Sequence, residues 1–224
     1  MPAQAHPAQR RERRKHERPG ELLQAALELF VEKGFAATRV EEVALRAGVS
    51  KGTLFLYYES KEELFKAVIQ AHLSDHFVAW DQEYAQFEGS SADLMRYGLS
   101  SWWERIGSTL AGGLTKLVMS ESRNFPEVAA FYREQVIEPG QTLLQRILQR
   151  GIDRGEFRPL DVPAASLSLI SAMVFLMMWR HSMAGCAPGA DFDPKGFLNT
   201  HLETLLQAWS ANASGTNEDS HEDH

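Results

Sequence analysis

Residues 40–61 read VEEVALRAGVSKGTLFLYYESK. Two short helical patterns meet here at a tight turn. Val43 and Val49 can face an interior, and Ala44 and Ala47 are small enough to let two helices cross closely. Gly48 can take a positive φ without a Cβ penalty. Ser50 can cap the next helix by accepting from its free amides. These are the requirements of a helix-turn-helix, whose second helix is free to enter a major groove. Leu54 and Tyr58 read as core, and Phe55 as either core or surface.

That second helix carries the chemistry of a groove reader. Lys51 and Thr53 place a cation and a hydroxyl near its start, Gly52 permits close backbone approach, and Ser50 holds its first turn. Leu56 can touch a thymine methyl and Tyr57 can donate to a phosphate. Lys61 opens a further helix, whose dipole and free amides also favour an anion.

Working outward, the apolar period is helical throughout. Leu22, Leu23, Ala26, Leu27, Phe30 and Val31 repeat at i, i+3, i+4 and stop at Gly34, a C-cap residue. Thr38-x-x-Glu41 reads as a capping box for the second helix. Ser60-x-x-Glu63 reads as another, opening a fourth helix that reaches about residue 84. Gly112-Gly113 should loosen the chain, Pro126 suits a first helical turn, and Pro139-Gly140 should kink the run that follows. No strand alternation and no repeat is visible. The expected class is all-α: a basic flexible arm at 1–18, a helix-turn-helix domain at 19–66, a helical body at 67–210 and a disordered acidic tail at 211–224.

Charge is unevenly placed. The net charge of −7 conceals 12 Lys/Arg against 10 Asp/Glu in residues 1–66 and 11 against 20 in the remainder. Arg10, Arg11, Arg13, Arg14, Lys15 and Arg18 face only Glu12 and Glu17. This is either a solvated start or a local field that attracts an anionic polymer despite the acidic whole. At 44% hydrophobic and 24% charged, the 224 residues can bury a core and are too apolar to be disordered. The single cysteine, Cys186, excludes an intrachain disulfide and suits a reducing, cytoplasmic compartment. No apolar segment follows the basic start as a secretion signal would require. Residues 162–179, VPAASLSLISAMVFLMMW, are uncharged but short for a membrane span and interrupted by Pro163, Ser166, Ser168 and Ser171. A helix buried between packed partners is the expectation.

From Ala25 to Phe65 the chain resembles the DNA-binding domain of the tetracycline-repressor (TetR/AcrR) family of bacterial regulators. The turn Gly34-Phe35, Thr38, Ala47-Gly48-Val49-Ser50, Gly52-Thr53-Leu54 and Ser60-Lys61-Glu62-Glu63-Leu64 fall in register. The resemblance implies a homodimer with a helix-turn-helix head, a ligand-binding helical body, and repression lifted when a small molecule binds. It places Lys51 and Thr53 at the DNA edge, Tyr57 and Lys61 on phosphates, and Thr38 and Arg39 on the backbone of a palindromic duplex. Phe55 departs from the family's usual tyrosine, and Leu56 and Glu59 depart as well.

Beyond residue 70 the resemblance weakens. The helices near 161–183 and 195–209 are the candidates for a four-helix dimer interface. Trp102, Trp103, Met119, Phe131, Phe175, Met178 and Trp179 suit an apolar effector cavity or an ordinary core, with Glu121 or His181 as polar anchors. A body that serves only as a structural or protein-partner module is the alternative, and a closed core would favour it. His72 and His76 share a helix face but lack an identifiable third metal ligand. Neither a cofactor nor a metal is expected. With no nucleophile elbow or phosphate loop, the sequence does not read as an enzyme.

Overall fold

The computed structural model describes residues 7–183 and 192–211, with side chains from Pro19 onward. Residues 1–6 of the expected arm, Cys186 and residues 212–224 of the expected tail lie outside the described residues. The head comprises α1 (Pro7–Lys33), α2 (Val40–Arg46), α3 (Lys51–Phe55) and α4 (Lys61–Ile69). The body comprises α5 (Asp75–Ala85), α6 (Ser91–Trp102), α7 (Gly113–Glu121), α8 (Pro126–Tyr132), α9 (Glu138–Asp153), α10 (Val162–Ser182) and α11 (Pro194–Trp209). Among the described residues the one extended pairing is an isolated bridge between Phe157 and Ser210. The backbone of α1 begins at Pro7 and passes through Pro19, so residues 7–18, expected to form a flexible arm, are helical.

The head closes around one apolar centre. Leu22, Ala26 and Phe30 of α1 meet Val43, Ala44, Leu54, Leu64 and Phe65, all essentially buried. Phe30, Phe35 and Phe65 pack with ring centroids 4.9–5.6 Å apart. Burying one such ring stabilises the fold by about 1.5–3 kcal/mol. Gly34 ends α1 with φ +86°, the left-handed cap that its position in the sequence predicts.

Two long helical runs change pitch at π-turns. Gln70–Ser74 joins α4 to α5, so a single continuous run links head to body. Arg133–Ile137 joins α8 to α9 just before Pro139, which has no N–H to donate back and crowds the carbonyl four residues earlier. A third π-turn, Trp103–Gly107, follows α6, and a 3-10 turn, Leu110–Gly112, leads into α7 where the paired glycines predict loosening.

Helix α10 is capped by Asp161, whose carboxylate accepts from Ala164 N at 3.1 Å. By length and composition it is the one described helix that could cross a membrane. It is only partly buried. Ala165, Leu169, Ala172 and Leu176 pack inward, while Ala164, Leu167, Ser168, Ser171 and Phe175 are exposed. The expectation of a helix enclosed by packed partners therefore holds for one face within the single chain.

Candidate nucleic-acid interface and internal cavity

The turn between α2 and α3 has the required geometry. Gly48 adopts φ +67°, its N–H donates to Leu45 O at 3.1 Å, and Val49 N donates to Ala44 O at 2.9 Å. Ser50 Oγ accepts from Thr53 N at 3.1 Å and lies 2.9 Å from the Thr53 hydroxyl. Leu54 anchors α3 in the head core with no exposure, so the opposite face points outward. Ser50, Lys51, Gly52 and Leu56 are exposed, and Thr53 and Tyr57 are half-buried. Leu56 is 83% exposed and Phe55 40%, which resolves Phe55 as surface.

Two expected contacts are turned inward. Thr38 is 1% exposed, and its hydroxyl lies 2.7 Å from Gly34 O and 3.1 Å from Leu29 O. Its one hydroxyl proton is therefore spent on carbonyls at the end of α1. The N-cap of α2 is therefore Arg39, one residue later than the sequence predicts, and Glu42 Oε2 accepts from Arg39 N at 3.4 Å. Lys61 is turned inward too. Its Nζ donates to Phe35 O at 2.8 Å, Ala36 O at 3.2 Å and Thr38 O at 3.2 Å, and sits 4.6 Å from the centre of the Phe35 ring. An ammonium has three protons. All three are used on the α1–α2 connection, so Lys61 pins that connection to α4 rather than standing free for a phosphate. Arg39 remains exposed at the start of α2.

The cation at the head of α3 is internally balanced. Lys51 Nζ lies 2.5 Å from Glu41 Oε1, both side chains being 55% exposed. This hydrogen bond to Lys51 holds the Glu41 carboxyl below the usual carboxylate range. An exposed pair of this kind adds little stability, but it sets a negative charge beside the helix that would meet phosphates.

The body encloses a cavity of about 530 Å³. Phe77, Trp80 and Tyr84 line it from α5 at helical spacing, Thr115, Val118 and Met119 from α7 with Ser122 just after its end, Tyr132 from α8, and Met173 and Met177 from α10. Met119, Ile137 and Leu167, each also exposed to solvent, mark its mouth. Of the expected lining, Trp102 and Met119 are present. The other six expected residues, Trp103, Glu121, Phe131, Phe175, Met178 and Trp179, lie outside it. Trp103 packs under Arg180, Phe131 lies beside Lys66, and Glu121 accepts from Asn124 near Gly34. Phe175 and Trp179 join Phe192 and Phe197 in an aromatic cluster across α10 and α11, with centroids 5.8–6.4 Å apart. Met178 is half-buried on the same helix.

The cavity's polar groups are few. Trp80 Nε1 donates to Ser101 Oγ at 2.8 Å. The Thr115 and Tyr132 hydroxyls meet at 2.8 Å, and Thr115 Oγ1 lies 3.3 Å from Met177 Sδ. Burial pushes the Tyr132 phenol up to about 12, keeping it protonated. Sequence reading missed Trp80, Tyr84, Thr115 and Tyr132. The 77/80/84 stripe on α5 was the available signal.

Helix α7 serves the cavity and the head together. Thr115, Val118 and Met119 face the cavity, while Leu117 and Glu121 lie toward Gly34 at the end of α1. At Gly113 an added Cβ would meet Val31 Cγ1 at 2.7 Å and His181 Nδ1 at 3.1 Å, so α1, α7 and α10 converge where a side chain cannot fit. Phe125, leading into α8, stacks edge-on against Phe35 at 4.5 Å. His181 packs against this junction instead of the cavity, its Nε2 buried without a partner. Burial lowers the His72, His76 and His181 pKa values, with cationic neighbours adding to the effect at His76 and His181. Among the described residues no group of three His, Cys, Asp or Glu could hold a metal.

Comparison with known proteins agrees with this architecture. Residues 22–68 match the family model described as bacterial regulatory proteins, tetR family, and residues 88–188 match a tetracyclin repressor-like C-terminal domain. The chain is 30% identical over 205 residues to the uncharacterized HTH-type transcriptional regulator YfiR of Bacillus subtilis, covering 87% of this chain and 94% of that one. It is 28% identical over 187 residues to the HTH-type transcriptional repressor KstR2 of Rhodococcus jostii, covering 83% and 89% of the two chains. The crystal structure of the transcriptional regulator FadR from Bacillus subtilis in complex with stearoyl-CoA superposes with a TM-score of 0.66 at 19% identity, covering 83% of this chain and 96% of that one.

Proposed function

Starting from the fact that the chain belongs to the tetR family of DNA-binding transcriptional regulators, we propose that it is a cytoplasmic homodimeric repressor released from a palindromic operator when a small, largely apolar molecule enters the body. The observation that carries the DNA-binding half is the exposure of Ser50, Lys51, Gly52 and Leu56 on a short helix whose other face is locked by Leu54. Lys51 and Leu56 meet base edges, Gly52 allows the approach, and Arg39 and Tyr57 reach phosphates. The exposed row on α10 and the aromatic cluster shared with α11 supply the surface for a second copy. A two-fold there would set two copies of α3 on successive major grooves, about 34 Å apart.

The cavity of about 530 Å³ favours an effector over a purely structural body, because a module without a ligand needs a closed core. The stearoyl-CoA held by FadR makes a long acyl chain one candidate class of occupant. On this reading the chain acts by binding. Selection from random duplexes with the full chain is the test. A symmetric consensus, bound with steep salt dependence and weakened by Lys51→Ala, supports the reading. Recovery of no symmetric site would overturn it.

A further inference from the structure

Resting on the cavity as the effector site, the geometry points to a narrower chemistry: we infer that the buried part of the effector is uncharged and presents one oxygen acceptor, a ketone, ester or thioester carbonyl, to the Thr115 hydroxyl.

Two observations carry this. First, no described residue lining the cavity is Asp, Glu, Lys, Arg or His. A carboxylate or phosphate placed inside would lose its hydration and gain no counter-charge, which disfavours its entry. Any charge on the effector stays at the mouth, beside Met119, Ile137 and Leu167.

Second, the hydrogen-bond chain in the wall has one consistent direction. Thr115 has a single proton and lies within reach of both Tyr132 and Met177. Both contacts are satisfied only if Tyr132 donates to Thr115 and Thr115 donates to the Met177 sulfur. A thioether is a weak acceptor. The Thr115 proton is therefore directed by Tyr132 yet poorly used, and a carbonyl oxygen outcompetes sulfur for it. Thr115 lies one helical turn before Met119 on α7, so the donor is set back from the mouth along the cavity wall. An elongated molecule that enters carbonyl-first is selected.

The test measures binding of three probes of equal chain length, methyl undecyl ketone, tridecane and tridecanoic acid at pH 8, by displacement of Nile red from the full chain. Thr115→Val keeps the shape and removes the proton. It should weaken the ketone about tenfold, the scale of one lost hydrogen bond, and leave tridecane and the acid unchanged. Equal losses for ketone and tridecane would reduce Thr115 to packing and overturn the inference while leaving the cavity as the effector site. An acid that binds best and is itself weakened by Thr115→Val would overturn the requirement for an uncharged end. Failure of all three probes to displace the dye would remove the effector site itself. If Thr115→Val does not fold, Thr115→Ala carries the comparison, since it also removes the proton and should weaken the ketone more than tridecane.

Discussion

Replacing Lys61 with methionine separates two roles that predict opposite data. In the structure its ammonium ties together the carbonyls of Phe35, Ala36 and Thr38 and lies over the Phe35 ring. Hydrogen bonds from a charged donor contribute about 1.5–3 kcal/mol each when well buried. Ala36 is exposed and its carbonyl regains water in the variant, while the bonds to Phe35 and Thr38 are only part-buried. The expected net loss is about 2 kcal/mol, with methionine retaining most of the stem's packing. For a chain of this size that is a fall of about 4–8 °C in Tm. The assay pairs thermal unfolding by circular dichroism with binding to a random-sequence duplex across a salt series. Lys61→Met should lower Tm and leave the slope of log K against log salt unchanged. A phosphate contact would do the reverse, lowering the slope by about 1 at constant Tm. An unaltered Tm with a shallower slope refutes the inward placement of Lys61.

Three further outcomes follow from the same geometry. Glu41→Gln removes the carboxylate that engages Lys51, so affinity for duplex DNA should rise several-fold at low salt, with the gain shrinking as salt screens it; weaker binding would show that the pair orders α3 instead. Gly98→Ala places a Cβ against the Tyr84 hydroxyl in the cavity wall, so it should lower ligand affinity at least tenfold, and Tyr84→Phe in the same background should restore part of it. The lowered pKa values of His72, His76 and His181 mean that the folded state binds fewer protons than the unfolded chain below the usual value of 6.5. Tm should therefore be flat above about pH 7 and decline as pH falls from 6.5 toward the lowered values; a Tm that rises over that interval would contradict the burial of these rings.

What was legible in the sequence was local. Gly34 and Gly48 occupy positions where only a left-handed backbone closes the turn, and both adopt it. Ser50 and Ser60 cap the helices they precede because a hydroxyl three residues before a free amide has one obvious partner. Thr38 and Lys61 were misread for the opposite reason. Lys61 reaches carbonyls 23 to 26 residues away, and only packing of α4 on the end of α1 brings them within range. Six of the eight expected effector residues lie off the cavity for a similar reason, while Trp102 and Met119 line it. Helix α10 is apolar on all sides, so its sequence carries no signal of facing, and Phe175 and Trp179 belong to its outer cluster while Met173 and Met177 face the cavity. The α5 stripe, by contrast, has a clear period, and Phe77, Trp80 and Tyr84 all line the wall.

A ligand can change DNA affinity only through different affinities for two arrangements of the chain, so some element must touch both the cavity and the head. Two do. The α4–α5 run has Leu64, Phe65 and Val68 in the head core and Phe77, Trp80 and Tyr84 in the cavity wall, with the Gln70–Ser74 π-turn between them. Buried atoms Nε2 of His72 and Oγ of Ser74 have no hydrogen-bond partner in that turn. The π-turn is the change of helical pitch that lies between the head core and the cavity wall. The α7–α8 pair joins the two regions through apolar contacts. Val31 against Gly113 and Phe125 against Phe35 are rigid apolar contacts, and close-packed interiors transmit displacement rather than absorb it. On the proposed reading, an occupant in contact with Thr115 and Met119 would bear on the Leu117–Gly34 seam through α7. Both elements reach the end of α1, where Lys61 and Thr38 fasten the approach to α2.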